Sequence, residues 1–404
     1  MRLAKTLYDL TMIRFEKTVL QVIPRLDAGG AERTTLEIAD AVTRSGGNAI
    51  VVTAGGRLVK NIENVGGRVF IAPVASKNPW QIWQNGKFLS ALITREKVDI
   101  IHARSRAPAW SALFAARKTG IPLVSTYHGA YSAKSRIKRF YNSSMLRADR
   151  IIANSHFTAE RILATDHTLS DIVRVIPRGV DIRTFDPKKV SADRVNTLAN
   201  EWGVPEKVGV KLLLPARLTP WKGHEIAIEA LSKLLVRLGN GNTSGQGQPL
   251  ALVFCGGAQG KGDFVSQLRA LIDECGVREM VYMGGDCADM PAAYAWAEIV
   301  LAPSTKPEAF GRVAIEASAM EKPVIAANHG GVRETVIRGE TGLLVTPDNS
   351  DALAHGIFRM MNLTPEERRS MGEKGRARAT SLFSSDAMCD ATIGVYRELL
   401  AERA

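Results

Sequence analysis

The 404-residue chain contains no run of eighteen or more apolar residues, and its N-terminus lacks the continuous apolar centre of a signal peptide. No membrane-spanning or exported segment is therefore expected. The first stretch, MRLAKTLYDLTMIRFEK (1–17), mixes basic and apolar residues and reads as a frayed extension, with a short membrane-surface segment as the alternative. Cysteine is scarce. The four present, Cys255, Cys275, Cys287 and Cys389, lie in the second half without metal-type spacing, which fits unpaired thiols in a reducing cytoplasm. The G-x-G-x-x-G fingerprint is missing, which argues against a nicotinamide or flavin site. No zinc finger, aromatic stacking motif or recognition helix marks a nucleic-acid binder. No D-x-D pair follows a strand of the first half. The stretch DCADM (286–290) places Asp286 and Asp289 between a strand and a helix of the second half and reads as a helix cap, so no divalent metal is required.

What is present suits two ordinary globular domains: 45% hydrophobic and 23% charged residues over this length. The net charge of +12 is unevenly spread. Residues 1–200 hold 31 Lys+Arg against 16 Asp+Glu, and the remainder holds 22 against 25. The excess concentrates in residues 101–150, with ten basic residues and one acid, including Lys134, Arg136, Lys138 and Arg139 beside Tyr131, Phe140 and Tyr141. Such a patch attracts polyanions, with nucleic acid, anionic lipid headgroups and phosphorylated lipids as candidates and a merely soluble basic surface as the plain alternative.

Short β-branched or leucine-rich runs alternate with helix-length segments throughout, the pattern of βαβ units and parallel sheets. The first series is VLQVIP (19–24), NAIVVT (48–53), RVFIAP (68–73), VDIIHA (98–103), PLVST (122–126), RIIANS (150–155) and VRVIP (173–177). The second is KLLLPA (211–216), ALVFCG (251–256), MVYMG (280–284), EIVLAP (298–303), PVIAA (323–327) and GLLV (342–345). The Pro-, Gly- and charge-bearing segment 177–190 separates them, which places domains at 1–182 and 183–383, with a C-terminal helix near 384–404 expected to pack back on the first. The stretch GNGNTSGQGQP (239–249) reads as a surface loop of the second domain.

Open parallel sheets bind ligands outside the carboxyl ends of their strands. After the first strand comes RLDAGGAER (25–33), where Gly29 and Gly30 allow close backbone approach and a helix starts near Ala31; taken alone, a plain tight turn explains it. The fourth and fifth strands lead into ARSRAPAW (103–110) and YHGAY (127–131), the latter carrying His128. The second series opens with LLLPARLTPWKGHE (212–225), whose Arg217 and Lys222 could clamp a diphosphate, with solvated loop cations as the bland alternative. PSTKPEAFGRVAIEASAM (303–320) and AANHGGVRET (326–335) each enter a helix whose first N–H groups are open to an anion. Glu308 lies before the first of these helices and Glu316 about a turn and a half inside it.

Together these motifs resemble the family 4 retaining glycosyltransferases of the GT-B fold, two Rossmann-like α/β domains whose parallel sheets face each other across a cleft. The resemblance covers nearly the whole chain. Its most specific element is the E-x7-E motif from Glu308 to Glu316, joined by ARLTPWKG and NHGGVRETV. The Gly-Gly turn, SRAPAW and YHGAY resemble bacterial members that build lipopolysaccharide or related surface glycans. Departures are Glu321, where a glycine is common, and Glu298, where Asp is usual.

The resemblance implies that the second domain holds a UDP- or GDP-linked sugar. Arg217 and Lys222 would bind the diphosphate and Glu316 the ribose hydroxyls. Glu308 would contact the transferred hexose, helped by backbone N–H groups around Phe310, Gly311 and Arg312. Gly29 and Gly30 would bring further backbone donors, and His128 would face the sugar near its reacting carbon. The implied reaction moves a hexosyl unit with retention, without a cofactor or metal, to a lipid-linked or lipopolysaccharide-core acceptor. Its basic first domain would then sit peripherally on the cytoplasmic face of the membrane. A sugar-nucleotide epimerase or hydrolase of the same fold would keep the nucleotide contacts and lack the acceptor. A basic nucleic-acid-binding protein would bind DNA or RNA in 200 mM salt without turning over any donor, a limit set by counterion release.

Overall fold

The computed structural model describes residues 14–27, 29–129, 135–239, 250–258, 260 and 262–403. Most of residues 1–17, Tyr131, Lys134 and nearly all of the 239–249 stretch lie outside the described residues. The chain divides into two compact units, Met1–Gly179 with Ser385–Ala404, and Val180–Ser384. The division falls at Gly179, three residues before the expected boundary at 182, and Val180 already bridges to Ser384 within the second unit.

Unit 1 contains β1 (Thr18–Val22), β2 (Asn48–Thr53), β3 (Arg68–Ile71), β4 (Ile100–Ala103), β5 (Leu123–Tyr127), β6 (Arg150–Ala153) and β7 (Val173–Val175). They form one parallel sheet in the order β3-β2-β1-β4-β5-β6-β7. Successive side chains on a strand point to opposite faces. Leu20, Val22, Ile50, Val52 and Ile101 therefore enter one core, while Val19, Val51 and Ile100 enter another on the reverse face. Both faces being covered is why these strands read as nearly continuous apolar runs. The helix Ser385–Ala401 closes the second core with Met388, Ile393, Tyr396 and Leu399. Polar anchors fix its register: Tyr396 Oη meets His102 Nδ1 at 2.6 Å, and Glu398 accepts from Arg150 and Arg174.

Unit 2 contains β8 (Val210–Leu214), β9 (Leu250–Cys255), β10 (Val281–Gly285), β11 (Ile299–Ala302), β12 (Val324–Ala327) and β13 (Gly342–Val345). Its parallel sheet runs β10-β9-β8-β11-β12-β13. Leu212, Leu252, Ile299 and Ile325 fill one face, and Leu213, Val253, Val300 and Val324 the other. Several strands stop short of their expected ends. Pro24, Pro73 and Pro303 lie one or two residues beyond β1, β3 and β11, and proline has no N–H to continue a ladder. Among the described residues no helix is long and apolar enough to cross a membrane.

Candidate active site

In unit 2 the order of strands reverses at β8 and β11, which pair directly. A crevice outside the carboxyl ends of such a pair is where open α/β sheets bind ligands. Arg217 and Lys222 leave β8 on one side of it, and Glu308 leaves β11 on the other. The β8 loop is held from beneath: Leu218 N donates to Gly257 O at 3.1 Å, and a Cβ on Gly256 would sit 2.3 Å from Ala216 O. Pro220–Lys222 forms a 3-10 turn that ends at Gly223 with φ +80°. A Cβ on Gly223 would lie 2.1 Å from Pro303 O, so only glycine lets the helix His224–Arg237 begin this close to the end of β11.

That approach brings Lys222 Nζ to Glu308 Oε1 at 2.7 Å, with only 12% and 19% of the two side chains exposed. Ser304 Oγ donates to the same carboxylate oxygen, and His329 Nε2 donates to Ser304 O at 2.7 Å. Arg217, by contrast, is solvent-exposed. The loop carrying Glu308 doubles back onto the turn after β12. Gly331 N donates to Glu308 O at 2.8 Å, and a Cβ on Gly330 would meet that oxygen at 2.4 Å. The glycine pair of NHGGV thus serves close packing. The helix it enters, expected to offer a second anion site, is a single turn, Val332–Thr335, too short to build a macrodipole.

Glu316 sits on the helix Arg312–Ala319, which starts after Gly311 at φ +90° with no side chain capping its first turn. Phe310 is buried against Phe383. Glu316 Oε2 accepts from Tyr294 Oη at 2.9 Å, and Oε1 accepts from Arg312 Nη2 at 2.9 Å. Burial, and then the Glu316 charge, hold the Tyr294 hydroxyl well above its usual pKa, so it remains a donor. Glu308 and Glu316 are therefore two separately buttressed acids. Sequence reasoning missed Tyr294, Ser304 and His329. Tyr294 carried a signal, the one hydroxyl in the helix MPAAYAW, whereas Ser304 and His329 carried only their places after β11 and β12.

Asp289 caps the helix Met290–Trp296 through Ala292 N at 3.1 Å, while Asp286 takes no part in that cap. Glu321 occupies the left-handed region at φ +58°, the physical reason a glycine suits that position. Glu298 pairs with Arg368 at 3.5 Å.

Unit 1 has its own reversal, at β1 and β4. The helix after β1 starts at Gly30, one residue before the expected Ala31, with Gly29 extended at φ −102°. His128 follows β5, and its Nδ1 receives Arg178 Nη2 at 2.7 Å. Burial, and then the Arg178 charge, push the imidazole well below its usual pKa, leaving it neutral. The SRAPAW segment forms the start of the helix Arg106–Thr119, where Trp110 stacks on Phe140 at 5.0 Å. Arg136, Lys138 and Arg139 share the short helix Arg136–Asn142 with Phe140 and Tyr141.

Two family descriptions match the chain: Glycosyltransferase Family 4 over residues 28–184, and Glycosyl transferases group 1 over residues 200–378. A solved glycosyltransferase from Rickettsia africae is 33% identical with a TM-score of 0.85, covering 95% of this chain and 99% of that one. Anabaena HepE, solved in complex with UDP and glucose, is 26% identical with a TM-score of 0.77, covering 93% and 98%. A D-inositol 3-phosphate glycosyltransferase from Acidothermus cellulolyticus is 29% identical over 320 residues, 76% of this chain and 68% of that protein. With its two Rossmann-like units and the buttressed acid pair Glu308 and Glu316, the chain belongs to the group 1 and family 4 glycosyltransferases of the GT-B fold.

Proposed function

We propose that this glycosyltransferase moves a hexosyl unit from a UDP- or GDP-linked sugar, with retention and without a metal ion, to an anionic acceptor. The observation that carries the reading is the placing of Lys222, Glu308 and the uncapped helix start at Gly311 around one strand reversal. Arg217, Lys222 and the open start of the helix after Gly311 would hold the diphosphate as it departs, supplying charge stabilisation where charge develops, while the backbone N–H groups around Phe310, Gly311 and Arg312 would help Glu308 hold the hexose. Glu308 would accept from hexose hydroxyls and Glu316 from the ribose. Gly29 and Gly30 would add backbone donors, and His128 would face the reacting carbon. The UDP and glucose bound by the Anabaena relative favour a UDP-sugar.

The acceptor is proposed to be lipid-linked or a lipopolysaccharide core, met at the cytoplasmic membrane face. Support comes from the helix Arg136–Asn142, where Ile137 and Phe140 are 81% and 62% exposed beside three cations, and from exposed Trp80. The relatives from Acidothermus cellulolyticus and Kineococcus radiotolerans are named D-inositol 3-phosphate glycosyltransferase, which favours an anionic group on the acceptor.

A thermal-shift screen against UDP, GDP, ADP and their sugars tests the donor. One nucleotide class should stabilise the protein, and Glu316→Ala should abolish that shift. No response to any nucleotide would defeat the reading. Release of nucleoside diphosphate only when membrane extract is added separates transfer from hydrolysis or epimerisation.

A further inference from the structure

The carboxyl ends of β4 to β7, with the first helix of unit 1, enclose a cavity of about 20 Å³. Its polar wall is Thr34, Arg104, Thr126, His128, Asn154, Arg178 and, from the C-terminal helix, Thr392, and no Asp or Glu lines it. Arg104 is only 1% exposed, and its Nε and Nη2 find no hydrogen-bond partner among the described residues. A buried guanidinium with idle donors is costly, since each buried donor left unpaired forfeits about 1–3 kcal/mol, more when charged. Natural proteins keep such a group where something else completes it.

His128 holds the second guanidinium of the wall. A guanidinium has no lone pair to offer, so Arg178 Nη2 must donate and His128 Nδ1 must accept. In the neutral ring the proton then resides on Nε2, which is buried without a partner. The Arg104 backbone draws on this ring without reaching hydrogen-bond geometry. Two N–H groups of one buried cation therefore belong to a wall that holds no Asp or Glu. An oxyanion brings only acceptors and the complementary charge.

We propose that Arg104 and Arg178 form an oxyanion subsite in unit 1, beside His128, that receives a phosphate or carboxylate group of the acceptor. The inference rests on the glycosyltransferase reading for the identity of that molecule, and on the cavity alone for the chemistry of its anionic group. The space admits one or two oxygens of the group, with the rest of the molecule outside. Thr34, from the helix after β1, and Arg104, after β4, place the subsite at the strand reversal of unit 1, where α/β sheets bind ligands.

Inorganic phosphate is the probe, compared with chloride at equal ionic strength, with UDP as a parallel arm. At about tenfold over its dissociation constant, phosphate should raise the wild-type melting temperature by about 2–4 °C. Arg104→Met should lose this shift and keep its response to UDP. A variant carrying both Arg217→Ala and Lys222→Ala should keep the phosphate shift, which separates the subsite from the diphosphate-binding loop. If Arg104→Met does not fold by circular dichroism, Arg178→Gln decides in its place and should reduce the shift at least severalfold. No wild-type phosphate shift, a full shift in Arg104→Met, or loss of the shift in the double variant overturns the subsite. A phosphate shift without any response to UDP, GDP or ADP would uphold the subsite and remove the nucleotide-sugar donor proposed above.

Discussion

Lys222 and Glu308 lie 86 residues apart in the chain and 2.7 Å apart in space, joining the loop after β8 to the loop after β11. The contact fixes both side chains before any ligand arrives. A lysine held this way acts as a point charge whose position costs no reorganisation during the reaction. Lys222→Ala removes that charge and leaves Glu308 buried without its partner. Turnover should fall by about 100-fold or more, the scale of losing one preorganised donor to a developing anion. Lys222→Arg should recover part of it. Nucleoside diphosphate release, followed under saturating donor, measures both, and wild-type turnover in Lys222→Ala would remove Lys222 from the diphosphate.

Tyr294 reaches Glu316 from a different helix and shares that carboxylate with Arg312. Tyr294→Phe deletes one hydrogen bond and keeps the ring that packs against Phe185. A buried bond to a charged acceptor is worth about 1.5–3 kcal/mol. UDP should therefore bind roughly tenfold more weakly, with the fold intact by circular dichroism. Unchanged UDP affinity by calorimetry would mean that Arg312 alone positions the acid.

Most of the fold was legible because its strands are buried on both faces and so write themselves as apolar runs. All thirteen expected strands form, and the errors sit at ends such as VLQVIP, where a proline stops the ladder. Of the candidate residues, Arg217, Lys222, Glu308 and Gly311 drew attention as strand-end punctuation and Glu316 as an acid in the helix that follows. Their partners were not legible. That Lys222 meets Glu308, or that Tyr294 meets Glu316, depends on which strands lie side by side, and local pattern does not encode that order. Arg104 looked like one more cation in a basic segment; only its burial among other donors distinguishes it.

Glu321 is strained where the family more often places glycine. At φ +58° its Cβ crowds the backbone, a cost of about 1–2 kcal/mol. Its carboxylate offsets little of this, since the contact to Arg376 is long, 3.6 Å, and partly exposed. Backbone entropy gained by the unfolded chain takes back part of the relief. Glu321→Gly should therefore stabilise unit 2 by about 0.5–1 kcal/mol, and Glu321→Val should destabilise it, since a β-branched side chain tolerates this region least. Urea unfolding with unchanged m-value checks both, and a loss of stability in Glu321→Gly would show that the Arg376 contact outweighs the strain.

His224 makes acid sensitivity predictable in sign. It is buried at the start of its helix, edge-on to Phe254 at 4.9 Å. Burial, with the Lys222 charge in support, lowers its pKa from 6.5 to about 4, although backbone groups of Ala216 and Thr219 pull the other way. The folded value lies below the unfolded one, so between the two the unfolded chain binds more protons and stability falls with falling pH. The full contribution is present above about pH 6.5 and is lost by about pH 4, a difference of about 3 kcal/mol. His102 and His128 are also pushed down by burial and slope the same way. The His224 share is therefore isolated by difference. His224→Leu should lose some stability at pH 8 through poorer packing and should show a shallower decline between pH 6.5 and 4 than the wild type. Parallel pH curves for the two proteins, measured by urea unfolding, would mean that His224 protonates as readily in the folded chain as in the unfolded one.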